Sequence, residues 1–374
     1  MKFNCTQENL HRGLALVSHV ASRASTLPIL TNILFEATGT SLVLSATNLE
    51  IGIRTKVRGK VEREGKVVVP ARLIDECVAL LPKENVVLTL EGDALRIQSG
   101  SHDNKIHTLP ADDFPLLPTI DERIVIDVTP TRLAQVLRVT LFAVSFDDTR
   151  PELSGVLIAT RGGVLTAAAT DSYRLAEKTT ELVRASQDIE GVIIPLRTMQ
   201  EVARALALIS PGEEEGVVKI ALGEHQVSFH MEDTLIISRL IDGQYPHYQD
   251  IIPPQYESSA TVERAVLEQA LKAASLFSMT GINDISLTLL PGEGGIRVRA
   301  ANIHVGENTT VVPASVRDKE VEVVVNWKYL SEGLQSFSAE TVNLEVNNTQ
   351  SPMVVKPQGE KGHLYLVMPI RLPS

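Results

Sequence analysis

The stretch SLVLSATNLEIGIRTKV, residues 41–57, holds a strand in which Leu42, Leu44 and Ala46 alternate with Ser41, Val43 and Ser45, then a polar break at Asn48. The pattern returns twice, as GVLTAAATDSYRLAEKT (163–179) and GIRVRAANIHVGENTTV (295–311). Aligned on Asn48, Asp171 and Asn302, the copies lie 123 and 131 residues apart. A second segment, an apolar strand leading through Pro or Asn into an amphipathic helix, behaves alike: VVVPARLIDECVALL (67–81), VIIPLRTMQEVARAL (192–206) and VVVNWKYLSEGLQSF (323–337). Pro70, Pro195 and Asn326 are spaced by 125 and 131 residues, and a basic residue follows each two positions later: Arg72, Arg197, Lys328. An opening helix at 6–22, 129–145 and 262–278, aligned on Leu10, Leu133 and Leu267, gives 123 and 134.

Three markers that keep one order at one period describe three similar domains, since a unit of this length is too long for a solenoid repeat. The Pro-rich stretches LPADDFPLLPTID and YPHYQDIIPPQYE close the first two copies, which sets expected domains at 1–120, 121–253 and 254–374. Each copy holds two helices and several short strands joined by turns, such as Gly92-Asp93 in VVLTLEGDALRIQS. Turn-joined strands pair antiparallel, so the expected fold class is α+β, with two helices packed on antiparallel sheets in each domain.

A chain of 374 residues, 44% apolar, has the material for such cores, and no apolar run reaches the roughly 18 residues of a membrane span. The N-terminus lacks an apolar stretch of signal-peptide length, and Cys5 and Cys77 read as small hydrophobes, so a cytoplasmic location is expected. Net charge is −11, which by itself argues against nucleic acid. Its distribution is uneven. The six expected helices carry ten basic and seven acidic residues, the rest of the chain 25 basic and 39 acidic. A helical surface gathered in one place would be mildly basic while the outside repels polyphosphate, although ordinary helix-surface charge reads the same way.

Motifs for chemistry are missing. PGEEEGVV and PGEGG lack the Lys-Ser/Thr ending of a phosphate loop, no GxGxxG opens a helix, and His225 and His230 have no third ligand nearby. Asp112-Asp113 and Asp147-Asp148 read as solvated turns, and Ser172 has no nucleophile motif around it. No cofactor, metal or catalytic site is expected. The cluster Asp171, Ser172, Tyr173, Arg174 could serve an enzyme only with groups from elsewhere, and the repeat makes Asp171 a turn residue that hydrogen-bonds its own backbone. The residues alone leave two classes open: a DNA-encircling protein, or a three-domain interaction scaffold unrelated to DNA.

Further segments carry a resemblance: MKF with TLPILTNILFEA, the VPAR helix start, LPADDFP, ATDSYRLA, LIDGQYPHYQDIIP and VMPIRL, in this order along the whole chain. They resemble bacterial DNA polymerase III β subunits, the replicative sliding clamps. The resemblance implies a ring of two head-to-tail chains around duplex DNA, helices lining the hole, and no chemistry of its own. It implies DNA-facing roles for Arg23, Arg72, Arg150, Arg197 and Lys328. It also implies a cleft for short Leu- or Phe-rich peptides of the polymerase, the clamp loader and repair proteins. The matching cleft positions are Leu153, Thr170, Ser172, Tyr173, Arg174, Leu175, Pro246, Ile251, Leu366, Met368, Pro369, Ile370, Arg371 and Leu372, with Pro352 at the edge. Ile106, Leu276 and Phe277 match the subunit interface. The chain departs from the family pattern at Pro151-Glu152, where an aromatic pair is usual, at Asp250, at Ser101 and Asp103, and at Pro373-Ser374 beyond the usual ending.

Overall fold

The computed structural model describes residues 1–21, 27–147, 149–209 and 216–371. Six α-helices occur among them: α1 (Gln7–Val17), α2 (Ala71–Ala79), α3 (Pro130–Thr140), α4 (Leu196–Ile209), α5 (Arg264–Ser275) and α6 (Trp327–Ser336). Five fall inside the quoted segments, and α4 runs three residues past the quoted 192–206. Side-chain caps fix two starts: Thr6 accepts from the Asn9 amide ahead of α1, and Asn326 accepts from the Lys328 amide ahead of α6. In the first two copies Pro70 and Pro195 stand immediately before the helix, where a missing N–H costs nothing.

The strands pair antiparallel throughout, but not copy by copy. A five-stranded sheet, in the order 60–63, 2–6, 85–91, 94–99, 102–107, belongs to the first copy alone. A nine-stranded sheet runs 184–185, 124–128, 218–222, 226–231, 234–239, 51–58, 41–47, 32–38, 65–70. Its middle joint pairs Ile236 with Ile53, so strands of the second copy continue the sheet of the first. A twelve-stranded sheet begins 189–195, 155–161, 164–170, 174–181, then passes to 363–367 and on through the third copy. There Leu175 pairs with Leu366 and Lys178 with His363.

Packing therefore divides the chain into two compact units. One holds 1–131, 182–187 and 197–240; the other holds 132–181, 188–196 and 241–374. The middle copy contributes to both. In the first unit α1 lies close on its sheet: a Cβ at Gly13 would sit 2.5 Å from Val57 Cγ2. In the second, α6 is closer still, since a Cβ at Gly333 would overlap the ring of the fully buried Tyr365. Both glycines let a helix approach its sheet, and alanine at either position would force the backbones apart. The Tyr365 hydroxyl donates to the Tyr329 carbonyl on α6 at 2.7 Å, which satisfies the polar atom such burial would otherwise strand.

Candidate functional site

The turn between strands 164–170 and 174–181 is held by its own side chains. Asp171 Oδ1 accepts from the amides of Tyr173 (2.9 Å) and Arg174 (3.0 Å). Thr170 Oγ1 donates to the Arg174 carbonyl (2.6 Å) and accepts from the Ser172 amide (3.1 Å). Ser172 takes φ +78°, a left-handed conformation. Asp171 is thus a turn former, as the repeat indicated, and its carboxylate is already committed.

What the turn positions is Arg174. Its side chain is only 9% exposed. Its Nε donates to Asp171 (3.0 Å), one Nη to Glu332 on α6, and the other to the Phe142 carbonyl (2.8 Å). The guanidinium also lies over the rings of Tyr329 (4.7 Å) and Phe142 (5.4 Å). Burial works against its charge, but the Glu332 carboxylate and Asp171 outweigh it and hold the guanidinium above its ordinary range. Each of its three nitrogens has an acceptor inside the chain, so Arg174 braces the wall. Tyr173, one residue before, is 61% exposed and stacks at 6.3 Å on Tyr329.

Behind this wall lies an apolar floor. Leu153, Leu175 and Leu366 are buried with Tyr245, Tyr248 and Val354, and Met368 packs partly buried against them. Tyr248 donates to Glu177, and burial together with that carboxylate pushes the phenol well above its usual range. Pro246 and Ile251 flank these tyrosines in sequence and are exposed. The last described residues continue the rim: the Met368 amide donates to the Tyr173 carbonyl (2.8 Å) and the Ile370 amide to the Val324 carbonyl (2.7 Å). Pro352, Pro369 and Ile370 are half-buried and Arg371 is exposed. Leu372, Pro373 and Ser374 lie outside the described residues. The expected cleft thus separates into a buried floor (Leu153, Leu175, Leu366), a rigid strut (Thr170, Arg174) and an accessible rim (Ser172, Tyr173, Pro246, Ile251, Met368). Sequence reasoning missed Phe142, Glu177, Tyr245, Tyr248, Tyr329 and Glu332. The tyrosines sit inside or beside quoted motifs, and an aromatic-rich segment in a chain with 4% aromatics was the available signal.

The cations arrange differently. Arg72, Arg197 and Lys328 are each the second residue of a helix, α2, α4 and α6, and each is exposed. Helix N-termini favour negative charge by about 0.3–1 kcal/mol, so a cation there opposes the local field. The combined positive potential suits an anion from outside. Arg72 is partly offset by Glu76 at 2.7 Å. Arg197 has no ion pair among the described residues. In the first unit Arg72 and Arg197 line one open groove of about 960 Å³ with His19, Asn48 and Gln200. Arg150, expected with these, instead donates to Ser172 Oγ (2.7 Å) and to Glu152 (3.3 Å), which places it beside the turn at the cleft. Arg23 lies outside the described residues.

Of the expected interface residues, Ile106 is 4% exposed and faces Leu95 across the five-stranded sheet, so its own chain already covers it. Leu276 is 72% exposed and Phe277 half-buried.

Comparison with known proteins accounts for the whole chain. Three family models match in order: the N-terminal, central and C-terminal domains of the DNA polymerase III beta subunit, over residues 1–118, 127–247 and 249–371. Among curated relatives, the beta sliding clamps of Synechococcus elongatus and Synechocystis are 33% and 32% identical, each covered fully and covering this chain fully. Among solved structures, the DNA polymerase III beta subunit of Thermotoga maritima aligns over both full chains with TM-score 0.93 at 27% identity. A Pseudomonas aeruginosa sliding clamp bound to griselimycin aligns over both full chains with TM-score 0.94 at 29% identity.

Proposed function

Since this chain belongs to the DNA polymerase III beta subunit family, the beta sliding clamps, we propose that it encircles duplex DNA as a head-to-tail dimer and tethers the replicative polymerase there. In this reading it is a cytoplasmic, non-catalytic accessory protein of three domains with boundaries near 120 and 254. The polymerase, the clamp loader and repair proteins dock short apolar peptides on the rim formed by Tyr173, Pro246, Ile251 and Met368. Leu276 and Phe277 supply the apolar part of the subunit contact. No helix among the described residues is long and apolar enough to cross a membrane.

One observation carries the reading beyond family membership: the accessible rim stands on a side chain, Arg174, held by two carboxylates, a carbonyl and two rings. A peptide losing its conformational freedom on a preformed wall pays less than one that must also order the protein. The exposed cations at the starts of α2, α4 and α6 give the DNA-facing reading its support. Few and sequence-blind, they match a protein that must hold phosphates loosely enough to slide.

Loading on primed circular DNA with the cognate polymerase tests the proposal. Product length should rise with this protein, and the protein should stay on circular DNA and leave when the DNA is linearised. Equal retention on both forms would reject the encircling mode. Removing Met368 to Ser374 should abolish peptide binding and leave the dimer intact.

A further inference from the structure

The second unit holds a cavity of about 290 Å³ that the cleft and the cation-bearing helix starts leave unused. Arg138 of α3, Lys178 of strand 174–181, Ser338 after α6, and Glu360, Lys361 and His363 line it. Register builds the site: Lys178 and His363 are direct partners across two neighbouring strands, so their side chains leave the same face of the sheet. Arg138 reaches in from the helix layer and donates to Ser338 Oγ at 2.6 Å.

Two features of this cavity lack a structural explanation. His363 is 5% exposed, and its Nε2 is buried without a hydrogen-bond partner among the described residues. Buried polar atoms are rarely left so, because an unmade bond costs about 1–3 kcal/mol. Lys178 is half-buried and its ammonium makes no side-chain hydrogen bond or ion pair among the described residues, although Glu360 lies near enough to act on its charge. Three cations thus meet one carboxylate, Glu360, whose Oε2 stands 3.9 Å from His363 Nδ1 on the far side of the ring from the orphaned nitrogen.

We propose that this cavity is an oxyanion site for a phosphate group, with Lys178 and Arg138 supplying charge, His363 Nε2–H and Ser338 Oγ–H supplying directed hydrogen bonds, and Lys361 gating the mouth. Glu360 then holds the imidazole orientation through Nδ1. The phosphate is either free or part of a nucleic-acid backbone; both offer non-bridging oxygens to these donors, the free ion carrying up to two charges and the backbone diester one. In the empty cavity burial, with Lys178 and Arg138, holds the imidazole down to about 3. A bound phosphate anion would offset these cations and raise it.

The test uses the full chain and inorganic phosphate. Titration followed by histidine NMR should shift the His363 ring resonances saturably and move its titration to higher pH. Lys178→Met should weaken the phosphate effect by about tenfold, and the surface variant Lys361→Met by less, since a charge on a flexible exposed stem contributes less than a half-buried one. Non-saturable shifts, or shifts unchanged in Lys178→Met, would overturn the site. A second arm assigns the source. If inorganic phosphate at saturation lowers duplex DNA affinity in wild type but not in Lys178→Met, the site reads backbone phosphate; if DNA affinity is indifferent, it holds free phosphate.

Discussion

The turns at 47–51 and 170–174 are the same object built twice. In the first, Thr47 Oγ1 donates to the Ile51 carbonyl (2.9 Å) and accepts from the Leu49 amide (3.0 Å), while Asn48 Oδ1 accepts from the amides of Glu50 (3.0 Å) and Ile51 (2.8 Å). The second repeats each bond with Thr170 and Asp171, and the left-handed residue recurs, Leu49 at φ +76° and Ser172 at φ +78°. Only the side chains projecting from the turn differ. Ile51 enters the apolar core of its unit, whereas Arg174 enters a cage of two rings, two carboxylates and a carbonyl. Glu50 lies in solvent; Tyr173 stacks on Tyr329. A backbone device shared by both copies thus carries an apolar load in one and a polar, internally bonded one in the other.

Substitution at matched positions sharpens this contrast. Arg174→Ala should be the most damaging, costing about 2–4 kcal/mol in urea unfolding, because it strands Asp171 and the Phe142 carbonyl; the half-exposed Glu332 recovers part of its loss from water. It should also weaken peptide binding, although Arg174 touches no ligand in our reading. Alanine at the two turn acceptors comes next. Asn48→Ala should cost about 1 kcal/mol, the usual value of such bonds, and Asp171→Ala about 2 kcal/mol, because a buried guanidinium also loses a carboxylate. Equal losses would break the claim that Asp171 has a second role, and Asp171→Asn should fall between. Glycine at the left-handed positions should act in the opposite direction: Leu49→Gly and Ser172→Gly each relieve strain for a net gain of about 0.5 kcal/mol in thermal unfolding, after the entropic cost of glycine. The smallest stability effect belongs to the exposed pair. Tyr173→Ala should lose about 0.5 kcal/mol of ring stacking and Glu50→Ala nothing measurable, yet Tyr173→Ala should reduce peptide affinity about tenfold in a fluorescence titration.

Local features were legible because they are written locally. The six helices follow from apolar spacing, and the turn at Asp171 follows from a small polar residue recurring between strands. Long-range pairing has no such marker. Nothing near Thr234–Arg239 says that its partner is Ile51–Arg58, so the joining of copies into shared sheets could not be read. The same distance hid the fate of Arg174. A charged residue in an exposed-looking turn is expected in water, and what buries it, Phe142, Tyr329 and Glu332, comes from elements up to 158 residues away. Ile106 shows another kind of distance: the resemblance gives it an interface role, and within its own chain it is already 4% exposed beside Leu95.

The splitting of the middle copy between two sheets bears on what can exist alone. Residues 121–253 excised as a fragment would carry Thr234–Arg239 and Arg174–Glu181 as two bare edges, each with a ladder of unpaired N–H and C=O groups. Strand 234–239 (TLIISR) is mostly β-branched or apolar and carries neither the proline nor the bulge with which proteins blunt an open edge, whereas strand 174–181 (RLAEKTTE) is guarded by its charged residues, Lys178 among them. The fragment should therefore associate edge to edge through 234–239, which size-exclusion chromatography of the fragment would show. In the whole chain both edges are covered, by Ile51–Arg58 on one side and His363–Val367 on the other, so the middle copy depends on both neighbours for closed sheets.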